Sequence, residues 1–193
     1  MDGQAMAVLD FWFLPPDNPG HGQARPEWFR KDDAFDAQIR SRFGSLIDSA
    51  IDGGLRDWEA TPRGGLARIL VLDQFTRNVH RGTPRAFAGD AQALALAMTM
   101  TEQGADQQLD PMLRAFVYLP FEHAEDLAMQ AHAVELFQQL SQAHDGFESM
   151  LDFAQRHQEV IARFGRFPHR NAILGRVSTP EEAAYLQQPG SGF

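Results

Sequence analysis

Residues 61–78 read TPRGGLARILVLDQFTRN, and this stretch decides the fold. Thr61 before Pro62 joins an N-cap to the residue whose fixed φ suits the first helical position. Leu66, Ile69, Leu70, Val71 and Leu72 then follow in one helical span that reaches about Asn78. Four successive apolar residues leave no polar side, so this helix is expected at the centre of an all-helical core. The pattern repeats outward from it. Asp32 or Asp33 caps a helix to about Ile51, whose stripe Phe35, Ile39, Phe43, Leu46/Ile47 and Ala50 keeps steps of three and four. Asp90 reads as the cap of a helix over 91–103 that Gly104 closes, and Asp110-Pro111 opens a short helix to Tyr118. A longer helix is expected over 121–140 after Pro120, and another over 150–164 with Gly165 as a left-handed stop. Thr179-Pro180-Glu181-Glu182 has the form of a capping box. The expectation is a single α-helical domain over residues 1–193, with seven or eight helices in stacked hairpins and no strand.

Composition agrees. Ala (26), Leu (18) and Gln (16) are abundant, whereas Val, Ile and Thr contribute only 7, 6 and 6 of the 193 residues. The formal net charge of −9 argues against a general nucleic-acid or anionic-membrane binder, which needs a basic face. With no cysteine, disulfides, thiolate metal sites and cysteine nucleophiles are all excluded. The first 13 residues hold no Lys or Arg, and no apolar run is long enough to span a bilayer, so a cytoplasmic location is expected. Sixteen of the 17 cations are Arg. Codon bias accounts for that on an exposed surface, and buried or bidentate forks account for it in an interior.

Charge is segregated. Residues 115–155 carry seven acids and no Lys or Arg, while 74–89 carry Arg77, Arg81 and Arg85, and 160–180 carry Arg163, Arg166, Arg170 and Arg176, with no acid in either. The basic segments lie near helix C-termini, which suits the dipole of some of these cations. The others either pair with acidic helices or assemble an anion site. Asp73 precedes Arg77 by four residues, the favourable order for a helical ion pair, and this is the favoured reading of Asp73. Asn78 and Arg81 lie beyond that pair and are candidates to meet a ligand. His157 interrupts the apolar stripe of its helix, and His123 shares a face with Leu127, Gln130, Val134 and Phe137. An inward histidine is most often a hydrogen-bonded core residue, yet two of them beside Glu122, Glu125 and Asp126 suggest a polar pocket. His123 and Asp126, three apart, are the one metal-like pair, and nothing completes a dinuclear site. Pro168 forces Phe167 out of the helical region, so His169, Arg170 and Asn171 are displayed together after Arg166. Phosphate loops, nucleophile elbows and HExxH are absent from the sequence.

VLDFWF (8–13), LDQFTRNVHRG (72–82), LPFEHAED (119–126), RFGRFPHRN (163–171), LGR (174–176) and STPEE (178–182) together resemble DUF924, a family of bacterial proteins of unknown function. The resemblance implies an all-helical, tetratricopeptide-like fold and brings no catalytic residues with it. Thr76 stands where the family pattern has Pro and Ala124 where it has Ser, so a hydroxyl at 124 is not required here. The reading that joins these observations is a pocket where Arg77, Asn78 and Arg81, then Glu122, His123 and Asp126, then His157, Arg166, His169, Arg170 and Asn171 meet. Its occupant is expected to be a small anionic or peptide-like ligand, with no metal or cofactor assigned. A hydrolase using His123 or His157 as general base, with or without a metal, is the alternative, and a protein-interaction scaffold the third reading.

Overall fold

The structure, a computed structural model, describes residues 2–192, and all regular elements among them are helical. In order they are α1 (Gly3–Phe13), α2 (Asp33–Ile51), α3 (Pro62–Ile69), a π-helical turn (Leu70–Phe75), α4 (Thr76–Val79), α5 (Asp90–Glu102), α6 (Pro111–Glu122), α7 (Leu127–Ala143), α8 (Glu148–Phe164) and α9 (Pro180–Tyr185). No helix among the described residues is long and apolar enough to cross a membrane. The chain divides into two compact units, Met1–Arg81 with Arg85–Pro120, and Gly82–Pro84 with Phe121–Phe193.

The first unit is organised on aromatic rings. Trp12 stacks on Trp28 at 6.0 Å and meets Phe35, Phe75 and Phe116 within 5.8 Å, while Phe11 stacks on Phe35 at 4.8 Å. Such rings bury large apolar areas and add pairing energy beyond area alone. The last carbonyls of α1 at Phe11 and Trp12 accept from Arg25 Nη1 at 2.8 and 3.0 Å, and Trp28 Nε1 also donates to the Trp12 carbonyl. A cation thus sits where the helix dipole favours it. The stretch read as one central helix is indeed buried, but it widens into the π-helical turn. Carbonyls there find side-chain donors: Thr76 Oγ1 donates to Leu72 at 2.7 Å, and Arg77 Nη1 to Asp73 at 2.7 Å. Asp90 does not cap α5 as the sequence suggests. Gly89 takes the cap position, because a Cβ there would collide with the Leu72 carbonyl, and Asp90 turns its carboxylate to Arg77 instead.

In the second unit, α7 and α8 pack along one another as a hairpin, with Ala133, Phe137, Leu140, Ala154, Val160 and Ile161 buried. The helix expected over 121–140 is broken. α6 runs through Pro120 to Glu122, and α7 restarts after Asp126, whose carboxylate accepts from Ala128 and Met129 N–H at 2.8 and 3.0 Å. Gln130 Nε2 donates to the Glu122 and Ala124 carbonyls at 2.6 and 2.8 Å, tying the end of α6 to the first turn of α7. Gly165, at φ +69°, stops α8, and Thr179 with Glu182 forms the capping box of α9.

Two stability predictions follow from these caps and staples. Arg68 is 2% exposed and donates to the Gly54 carbonyl, Glu59 and Gln92. Arg68→Ala is expected to cost about 3 kcal/mol in denaturant unfolding, the low end for breaking a buried pair because Glu59 is itself partly solvated. Asp126→Ala, a lost N-cap on a surface turn, should cost only about 1 kcal/mol in the same measurement.

Candidate functional site

Arg77, Asn78 and Arg81 belong to the first unit, where each is engaged with a carboxylate. Arg77 forks Asp90 with bonds of 2.9 and 3.0 Å and lies 2.9 Å from Asp73, which is fully buried. Asn78 Nδ2 donates to Asp36 Oδ1 at 2.6 Å, and Arg81 reaches Asp36 Oδ2 at 3.1 Å. These contacts join α2, α4 and α5 by charge-assisted bonds.

The remaining candidates belong to the second unit, and they sort into a frame and a cluster. In the frame, Arg176 grips Glu125 with bonds of 2.6 and 2.9 Å, and the Phe167 N–H donates to the same carboxylate at 2.8 Å. Burial alone would raise the Glu125 carboxyl, but Arg176 and the Phe167 N–H hold it below the usual range. Arg176 Nε donates to Asn171 Oδ1 at 2.9 Å, and Asn171 Nδ2 passes on to Glu182 at 3.2 Å. Arg166 forks Glu182 with bonds of 2.7 and 2.8 Å and donates to the Val177 carbonyl at 3.0 Å. Hydrogen bonds from Arg166 first, then from Thr179 N–H and Asn171, hold the Glu182 carboxyl at about 2. Arg166 and Asn171 are therefore parts of a closed polar ring around the 165–179 loop. Glu125, read from the sequence only as a neighbour of the polar pocket, and Arg176, not among the site candidates, complete it. Asp126 is the α7 cap.

The cluster surrounds the fully buried ring of Phe167. His157 approaches at 5.4 Å between centroids, His169 at 5.6 Å, and the Arg170 guanidinium carbon lies 4.5 Å over the ring. His123, half-buried, stands 6.4 Å from His157. His157 Nδ1 is 2.8 Å from the Phe153 carbonyl and 3.0 Å from Oε1 of buried Glu122. Two acceptors at one nitrogen require that Nδ1 carry the proton, which makes Nε2 the lone-pair nitrogen of the neutral ring. Burial, helped by the neighbouring His123 and Arg170, pushes the His157 imidazole down to about 3. Burial and then Arg170 lower His169 to about 4. Both are neutral at physiological pH. Gln130 Oε1 is also buried, with no hydrogen-bond partner among the described residues. No group of three or more His, Asp or Glu among them is gathered as a metal would require.

These shifts separate two pH windows. An imidazole titrating below its unfolded value of about 6.5 leaves the unfolded chain the better proton acceptor, so His157 and His169 should erode stability as pH falls from about 6.5 toward 4. Glu182 has the carboxylate sign. Its contribution is complete above about 4.3 and is lost as pH falls toward 2. Urea midpoints measured across pH should decline in both windows, and Glu182→Gln should flatten only the lower one.

The chain matches the family described as bacterial protein of unknown function (DUF924) over residues 8–190. A solved structure of a protein of unknown function from Agrobacterium tumefaciens is similar to it, at 41% identity and a TM-score of 0.83, with 95% of this chain and 97% of that chain covered. No curated protein matches. The frame and the cluster are thus built largely from the RFGRFPHRN and LPFEHAED strings inside a match that spans nearly the whole sequence, and the chain belongs to the DUF924 family.

Proposed function

We propose that the second unit binds a small anionic or peptide-like ligand at the cluster around Phe167. The observation that carries this reading is the concentration of perturbed titratable groups on one buried ring: His157 and His169 held neutral, with Arg170 over the ring face. Perturbed groups gather where a protein acts, because burial and neighbouring charge are what tune a group for work. The frame supports the reading by a different route. Ion pairs at Glu125 and Glu182 hold the loop that carries His169 and Arg170, so a ligand would meet groups already positioned. A neutral imidazole accepts at one ring nitrogen, which suits an N–H or O–H of a ligand whose charged end faces Arg170.

An anion bound here offsets the positive field of Arg170 and so raises both imidazole pKa values. Histidine side-chain NMR on the full chain, titrated from pH 8 to 4 with and without inorganic phosphate or acetate, tests this. The expected result is an upward movement of the His157 and His169 titrations with anion, abolished in Arg170→Gln. Should that variant fail to fold, His169→Gln keeps the frame intact and should weaken the anion response of His157. Titrations indifferent to both phosphate and acetate would overturn the reading.

A second reading rests on the His157 ring itself. With Nδ1 held by Glu122 and Phe153, Nε2 has the orientation of a general base whose partner fixes its tautomer. Hydrolysis by such a base requires Nε2 to gain a proton during the reaction, and the low imidazole pKa opposes that. Binding is therefore the reading the geometry favours.

A further inference from the structure

Gln130 carries a buried acceptor that neither the frame nor the cluster uses. The residue is fully buried, and its Nε2 donates to the Glu122 and Ala124 carbonyls, which flank His123, at 2.6 and 2.8 Å. Those bonds fix which end of the amide is nitrogen. Oε1, one amide width away, is buried with no hydrogen-bond partner among the described residues. A buried carbonyl oxygen without a donor is costly, so it marks a place where a donor arrives. The turn beside it also carries Glu122, the acid of the cluster, because Glu125 and Glu182 are each forked by an arginine of the frame. From Glu122 a row of contacts leads to Arg170. Glu122 Oε1 lies 3.0 Å from His157 Nδ1, the His157 ring lies 5.4 Å from Phe167, and the Arg170 guanidinium carbon lies 4.5 Å over Phe167. All of these residues belong to the second unit. His123 and His169, only partly buried, border the row and open it to solvent.

We propose that the ligand of this cluster is a zwitterion, an amino acid or dipeptide whose ammonium is received by Glu122 and Gln130 Oε1 and whose carboxylate faces Arg170. The proposal rests on the binding reading above and narrows it from anions at large. One end of the row offers acceptors, the Glu122 carboxylate and Gln130 Oε1, and the other offers guanidinium donors. A carboxylate accepts at about four positions and a guanidinium donates from five N–H groups, so each has bonding capacity beyond the protein groups around it. A simple anion answers Arg170 alone. It leaves Gln130 Oε1 without a donor and meets the repulsion of Glu122. An ammonium carries three donors and a positive charge, which suits an acid and an amide oxygen at one end, while the carboxylate of the same molecule suits the fork at the other.

Glycylglycine, N-acetylglycine and acetate serve as probes, with binding to the full chain read by titration calorimetry and by the His157 and His169 NMR signals. Glycylglycine and N-acetylglycine share a peptide group and a carboxylate, and only the first has an ammonium. Glycylglycine is expected to bind about tenfold more tightly than either of the others at neutral pH. Glu122→Gln keeps the shape of the side chain and removes its charge, so it should abolish that advantage without weakening acetate. A second measurement needs no variant and covers the case in which Glu122→Gln does not fold. An α-amino group titrates at about 8, so glycylglycine should lose its advantage by about pH 9 while N-acetylglycine binds as before. Glycylglycine that binds no better than N-acetylglycine, or an advantage that survives in Glu122→Gln or at the higher pH, overturns the zwitterion and leaves the anion reading standing. Histidine signals indifferent to all three probes overturn both.

Discussion

A carboxylate buried among hydrocarbon persists only opposite hydrogen-bond donors, and at three of the buried acids of this protein that donor is a guanidinium. Asp73 and Asp36 in the first unit, and Glu182 in the second, are each buried and each held by an arginine. The partners are far apart in sequence: 45 residues separate Arg81 from Asp36, and 51 separate Arg176 from Glu125. Each pair therefore fixes which loop meets which helix. Lysine offers a point charge where these sites use three or four directed bonds, and the preference for Arg over Lys acquires a structural meaning at Arg68, Arg77, Arg166 and Arg176.

The helices were legible because their signals are local. Thr61, Asp32 and Thr179 accept from the N–H groups that a cap should satisfy, and Gly104 and Gly165 adopt the left-handed conformation that a stop requires. His157 on the buried face of α8 follows equally from the apolar stripe. What escaped is non-local or phase-dependent. Leu70 to Phe75 are buried all round, so no periodicity distinguishes a π-helical turn from an α-helical one. Asp126 lies in an acidic string where its capping role looks the same as a pocket role. The bond between Glu125 and Arg176 leaves no trace in spacing, because the acidic and basic segments are segregated and nothing in either names its partner.

The frame and the cluster divide the polar residues of the second unit by physical task. Arg166, Arg176, Glu125, Glu182 and Asn171 satisfy one another, and that mutual satisfaction keeps a 15-residue connection from Gly165 to Thr179 in one conformation although it is largely irregular. The histidines on Phe167 gain from this rigidity without contributing to it through charge. An all-helical unit of this kind needs no sheet edge to place a polar site; a proline-bent loop clamped at both ends suffices.

The π-helical turn at Leu70–Phe75 also bears on how the sequence can change over time. A π turn is an α-helix carrying one residue more than its regular geometry accommodates. Deleting one codon within it would restore regular α geometry and rotate all that follows by about 100°. Thr76 and Arg77 would swing away from the carbonyls they serve, and Arg81 away from Asp36. Loss of the extra residue thus demands simultaneous replacement of several charge pairs. Length is therefore fixed by the charge pairs downstream, and this helix is a place where relatives should differ by substitution and not by length.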